Sequence, residues 1–156
     1  MRIRIFFKNT HDAVFAQYRF PMAGYSSTPL RNKLGIKPGY KLFIIHSPDS
    51  YWDWLAPLPE GIEIVKKAGT GGVDFIHGFY RERKTFEKEF PAYKKCLVKN
   101  GILWISWPKK SSNVITDLYE NKIREYGLKN GLVDVKVCAV DEVWSGLKFV
   151  FRAKDR

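Results

Sequence analysis

The chain has 156 residues, 45% of them hydrophobic and 15% aromatic, which is enough apolar material for one domain of ordinary size and excludes a disordered chain. No apolar run approaches the roughly 20 residues of a membrane-spanning helix, so a cytoplasmic protein with no membrane partner is expected. The net charge of +11 invites a nucleic-acid partner, but between Arg81 and Lys99 the basic residues alternate with Glu82, Glu87 and Glu89, the pattern of a solvated helix face; nucleic-acid association is therefore kept only as a weaker alternative.

The first 21 residues differ from the rest. MRIRIFF alternates like a strand, the alternation fades by Asn9, and Met22 opens a second plausible start, so residues 1–21 are expected to be an arm or an extension foreign to the natural protein. Intact-mass measurement of the native protein checks this: a peptide beginning at Met1 would refute it.

From Thr28 strand and helix patterns alternate. Thr28-Pro29 starts a short helix at LRNKL that Gly35 stops, and Lys37-Pro38-Gly39 turns into a strand from Tyr40 to Ile45. A helix from about Asp49 to Leu55, a strand from Gly61 to Val65, a glycine-rich turn at 69–72 and a strand from Val73 to Phe79 follow. Helical spacing returns at Phe86, Phe90, Tyr93 and Leu97, with Pro91 expected to kink the helix or start a second one.

Ile102 to Trp107 reads as a buried strand, and Ile115, Tyr119, Ile123 and Tyr126 as one face of a helix ending at Gly127. Strands from Val133 to Val140 and from Leu147 to Phe151, joined around Trp144, close the chain as an antiparallel hairpin. The expected fold is one three-layer, Rossmann-like α/β domain over residues 22–156, its sheet mostly parallel with an antiparallel final strand.

Ligands in such sheets bind outside the carboxyl ends of the strands. That rule singles out GILWISWPKKSS, where an apolar strand ends in Pro108, Lys109, Lys110, Ser111 and Ser112. The serines would cap a helix starting near Ser112, and the lysines would hold an anion beside its first N–H groups. His46 and Ser47 end the first strand, Asp141 and Trp144 sit at the hairpin tip, and Trp107, three residues from Trp104 and so on the opposite face, would line the ligand. All nine should border one pocket for an anionic small molecule or nucleotide. His46 lacks a carboxylate partner recognisable in the sequence, so no catalytic residue is assigned. Cys96 and Cys138 lie in apolar patterns without C-x-x-C spacing and the three histidines are scattered, so no metal site is expected.

The order of elements, the LVKNG turn before an apolar strand and the closing hairpin resemble a truncated class I S-adenosylmethionine-dependent methyltransferase domain over most of residues 36–152. YSSTPL at Tyr25 to Leu30, KLGIKPG at Lys33 to Gly39, WPKK at Trp107 to Lys110 and GLVDVKVCAVDEVWSGLKFV at Gly131 to Val150 are also similar to an uncharacterised bacterial family of small Rossmann-like domains. The first resemblance implies S-adenosylmethionine as cofactor; the second implies no particular activity. Two departures argue against ordinary S-adenosylmethionine binding. His46-Ser47-Pro48-Asp49 contains no glycine where backbone must approach a cofactor, and Val65-Lys66-Lys67 carries two positive charges where a ribose-binding carboxylate belongs. A binding module of unknown activity is thus the first reading, and a divergent methyltransferase the alternative.

Overall fold

A computed structural model describes residues 27–67, 69 and 72–156, so the N-terminal arm, Met22 and the middle of the glycine-rich turn, residues 70 and 71, lie outside the described residues. Two compact units are formed. The smaller, among the described residues, comprises 27–36 and 48–58; the larger comprises 37–47 and 59–156.

The smaller unit holds helices α1 (Leu30–Leu34) and α2 (Tyr51–Leu55). Gly35 ends α1 in the left-handed region at φ 85°, where its N–H reaches the carbonyls of Arg31 and Asn32. Leu34, Tyr51 and Leu55 are buried, and Tyr51 meets Trp52 and Trp54 edge to face.

The larger unit is a six-stranded sheet of β1 (Lys41–Ile45), β2 (Glu63–Val65), β3 (Val73–Phe79), β4 (Leu97–Pro108), β5 (Leu132–Ala139) and β6 (Trp144–Phe151). Its order is β2-β1-β3-β4-β6-β5, with the first four strands parallel, β6 antiparallel to β4, and β5 antiparallel to β6. This is the mixed sheet with a closing hairpin that the strand and helix alternation implies.

Helices α3 (Arg83–Cys96) and α4 (Glu120–Lys129) share a core with one sheet face. Phe86, Phe90, Tyr93 and Ile123 from the helices join Ile76, Leu103, Ile105, Trp107, Leu147 and Phe149 from the strands. The pleat sends the intervening residues to the other face, where Phe75, His77, Trp104 and Ser106 are fully buried. Ile64, Val135 and Val137, apolar though they are, stand 50%, 52% and 42% exposed, because β2 and β5 are the sheet's outer strands.

Three boundaries differ from the sequence reading. Leu97 to Gly101 is not a separate turn: Val73 pairs with Leu97 and Phe75 with Ile102, so the extra residues form an irregularity inside β4. α3 runs through Pro91, which cannot donate to the Glu87 carbonyl; the Tyr126 hydroxyl donates there instead at 2.9 Å. α4 starts at Glu120 rather than near Ser112, leaving Ile115 94% exposed, and continues past Gly127 to Lys129. Gly127 is a contact glycine: a Cβ there would lie 2.1 Å from a Phe149 ring carbon.

Two outcomes follow from this packing. Gly127→Ala should destabilise the protein by about 1–3 kcal/mol in chemical denaturation despite alanine's better helix propensity, because Phe149 is fully enclosed. His77 hydrogen-bonds Ser106 at 2.7 Å and stacks on Phe79 at 4.2 Å between ring centroids; burial holds its pKa down to about 3, against 6.5 when exposed. Between those values the unfolded chain binds the extra proton, so stability should fall on acidification below 6.5 with a slope approaching about 1.4 kcal/mol per pH unit. His77→Asn should flatten the slope between pH 6.5 and 5, as measured by urea denaturation.

Candidate functional site

The chain passes from β1 to β2 on one side and returns to β3 on the other, so the sheet's connections reverse direction between β1 and β3. In an open parallel sheet this opens a crevice at the carboxyl ends of the two strands. Ile45 is paired with Gly78, which places His46 and Tyr80, each just beyond its strand, at that crevice. Gly78 is needed there: a Cβ would approach the Tyr80 ring to 2.7 Å. His46 has φ 57°, a left-handed conformation uncommon for a residue with a side chain, and its ring meets that of Tyr80 edge to face with centroids 5.4 Å apart.

Glu89, on α3, draws these groups together. Its Oε1 accepts from Tyr80 at 2.7 Å and from Tyr93 at 3.2 Å, and lies 2.9 Å from His46 Nε2; the two tyrosine hydroxyls also touch. Burial pushes the Glu89 carboxyl up, but the bonds from Tyr80, His46 and Tyr93 outweigh it and hold the group below the usual carboxylate range. Burial raises both tyrosine hydroxyls far above neutrality, with the Glu89 charge acting in the same sense, so they remain neutral donors. Nε2 faces the carboxylate, so the tautomer with its N–H at Nε2 donates to Glu89 and would leave Nδ1 as an acceptor. The His46 side chain is 48% exposed and that of Glu89 33%. A carboxylate-oriented imidazole of this kind can take a proton from a bound molecule.

Beside this cluster is an open cleft of about 470 Å³. Phe43, Ile45, Ala92, Tyr93 and Cys96 form an apolar wall; Glu89, Lys66 and Lys67 supply charge. Burial raises the Cys96 thiol, which makes it wall rather than nucleophile. All three bonds to Glu89 fall on Oε1, so Oε2 is without a partner among the described residues.

The nine residues expected at one pocket all belong to the carboxyl edge but take different places. His46 enters the Glu89 cluster, with Ser47 next to it in the chain. Lys109 Nζ donates to the Asp141 carbonyl at 2.6 Å, and Asp141 Oδ1 accepts the N–H groups of Val143 and Trp144, so these residues tie the β4 end to the β5–β6 hairpin. Trp144 meets Phe79 edge to face at 5.1 Å. Trp107 is 7% exposed within the core shared with α3 and α4.

Lys110 is exposed, and with Ser111 and Ser112 it forms one 3-10 turn (Lys110–Ser112) instead of the first turn of a helix. Ser112 Oγ donates to the Lys109 carbonyl and accepts from Val114 N–H, serving that turn alone. The carboxylate nearest a capping role is Asp117, which accepts from the Arg83 N–H at the start of α3 at 2.6 Å.

Glu89, Tyr80 and Tyr93 were invisible as a site in the sequence, where Glu89 reads as part of a solvated face. The usable signal was spacing: Glu89 and Tyr93 are one turn apart, flanking the apolar stripe of Phe86 and Phe90.

No protein-family model matches the chain, and neither does any curated protein sequence. Solved structures do match. An exported-protein candidate from Bordetella parapertussis aligns at TM-score 0.57 and 11% identity, covering 80% of this chain and 66% of that one, just under two thirds of its length. The DhpI–SAH complex aligns at 0.56 and 10% identity over 97% and 96% of the two chains. An S-adenosylmethionine-dependent methyltransferase from Aquifex aeolicus aligns at 0.55 and 12% identity over 77% and 86%. The fold is therefore a methyltransferase-like Rossmann fold.

Glu89→Gln tests the cluster. Because the folded-state carboxyl is held below its ordinary value, its stabilising effect is present above the carboxylate range and lost as pH falls through it. The variant should be less stable by about 0.5–1.5 kcal/mol at pH 7. Denaturation at pH 3.5 should show the gap closing; an equal gap at both pH values would mean that the charge is not what holds the cluster.

Proposed function

We propose that this protein is a divergent S-adenosylmethionine-dependent methyltransferase-type domain, its ligand in the cleft beside β1 and its reacting groups at His46. The reading is carried by the meeting of His46 and Glu89 at the β1–β3 crevice of a fold whose structural neighbours include a methyltransferase and an SAH complex. In this reading part of the cofactor's needs would be met in an altered form. The carboxylate absent after β2 is supplied from α3 by Glu89, whose Oε2 would accept ribose hydroxyls, and the wall of Phe43, Ile45 and Ala92 would take the purine. The glycine loop after β1 has no counterpart, since His46 fills that position with a side chain.

When bound, S-adenosylmethionine supplies an electrophilic methyl group. The chain's own contribution is to bind and to move a proton: His46 Nδ1 accepts one from the substrate's nucleophile, Glu89 steadies the imidazolium that forms, and Tyr80 and Tyr93 hold Glu89 in place. Lys66 and Lys67 favour a second reading, in which the cleft holds a phosphorylated or otherwise anionic molecule and no methyl group is transferred.

Calorimetry separates the two. The methyltransferase reading expects saturable micromolar binding of S-adenosylmethionine or S-adenosylhomocysteine, about −8 kcal/mol, lost in Glu89→Ala. Binding no tighter than millimolar, together with micromolar binding of a nucleoside phosphate that Lys66→Ala/Lys67→Ala abolishes, would replace it with the second reading. Where turnover is found, His46→Gln should lower kcat by about 10²-fold to 10⁴-fold with little change in cofactor affinity.

A further inference from the structure

Another group of charges lies away from this cleft. Lys136 of β5 is paired directly with Lys148 of β6, and Lys148 in turn with Trp104 of β4. Leu147 and Phe149, the neighbours of Lys148, belong to the core under α3 and α4, so the pleat turns Lys148 to the opposite face. That face and the far end of the sheet separate it from the Glu89 cleft. Lys37, in the turn before β1, adds a third charge: burial lowers the Lys148 pKa first, and the charges of Lys136 and then Lys37 push the same way.

Like charges placed opposite each other across strands destabilise a sheet. Among the described residues no carboxylate lies within ion-pair distance of Lys37, Lys136 or Lys148 to offset the repulsion. The carboxylate nearest in sequence, Asp134, is committed to Arg124 at 2.9 Å. Lys148 is also half-buried, so water screens its ammonium only in part. Two point charges set directly opposite each other on adjacent strands suit one small, multiply charged anion better than an extended acidic chain.

We propose that the Lys136–Lys148 pair is the centre of a second anion site, on the sheet face opposite α3 and α4, that takes the phosphate group of a phosphorylated ligand, with Lys37 adding its charge from the turn before β1. The site does not rest on the methyltransferase reading and involves none of its residues. A bound phosphate bridges the ammonium groups of Lys136 and Lys148 and removes the repulsion between them, so binding stabilises the fold.

The test is a ¹H–¹⁵N NMR titration of the full chain with inorganic phosphate, at constant ionic strength set with chloride. Saturable shifts are expected at the amides of Lys37, Lys136 and Lys148, with affinity weakened at least fivefold in Lys136→Gln/Lys148→Gln. In phosphate-free buffer that double variant should melt above the unaltered protein, because the repulsion is gone, and this also confirms that it folds. Absent or non-saturable shifts, unchanged affinity in the double variant, or a lower melting temperature for it would each overturn the proposal. Pyrophosphate and a 20-base-pair DNA duplex distinguish the sources of the phosphate. Displacement by pyrophosphate with no effect of the duplex assigns a small phosphorylated molecule; the same shifts with the duplex, weakening steeply with salt, assign a nucleic-acid backbone.

Discussion

The pairing of β1 with β3 is the interaction on which the candidate site depends. Neither strand's sequence neighbours bring His46 near Tyr80; the ladder that sets Ile45 against Gly78 does. Because side chains alternate with a period of two, a slip of one residue would send Ile45 to the wrong face and rotate His46 away from α3. Register is therefore fixed by the core itself: Ile76, Leu103 and Ile105 must face Phe86 and Phe90 together, and the crevice follows from that requirement. Gly78 adds the local condition, since only a residue without a Cβ lets the Tyr80 ring fold back against β3.

Around that crevice the electrostatics divide the molecule's excess positive charge into unequal parts. Glu89 gathers two neutral hydroxyls and an imidazole and stays ionised, which makes it a positioned charge within a strongly basic chain. Arg83 and Arg124 are neutralised by Glu87, Glu120 and Asp134 in ordinary surface pairs that contribute little. Lys66 and Lys67 stand at the cleft, and Lys136 and Lys148 pair on the opposite face with no carboxylate at ion-pair distance among the described residues. Net charge alone could not separate these groups, because it is the same sum wherever the lysines sit.

The hairpin tip is where local sequence chemistry was read correctly but its consequence was not. Asp141 does bond the backbone two and three residues on, as a turn aspartate should, and Lys109 does stand at the end of β4. Their charges meet backbone rather than solvent, so WPKK works as a clasp between β4 and the hairpin. Of its two lysines Lys110 alone is exposed.

The amino-acid sequence by itself determined the succession of strands and helices, the closing antiparallel hairpin and which residues fall at the carboxyl edge. These depend on periodicity and turn residues, which act over a few positions. It also located His46 at that edge. Tertiary structure decided the rest. His46 and Glu89 are 43 residues apart, and a charged residue on an amphipathic helix looks alike whether it faces water or a strand end. The exposure of Val135 and Val137 was likewise settled by β5 being the outermost strand, a fact about sheet order that alternation does not carry. The break before α4 followed the same logic: Thr116 and Asp117 bond the Arg81 carbonyl and Arg83 N–H across the chain, and those long-range partners overrode a helical spacing that began at Ile115.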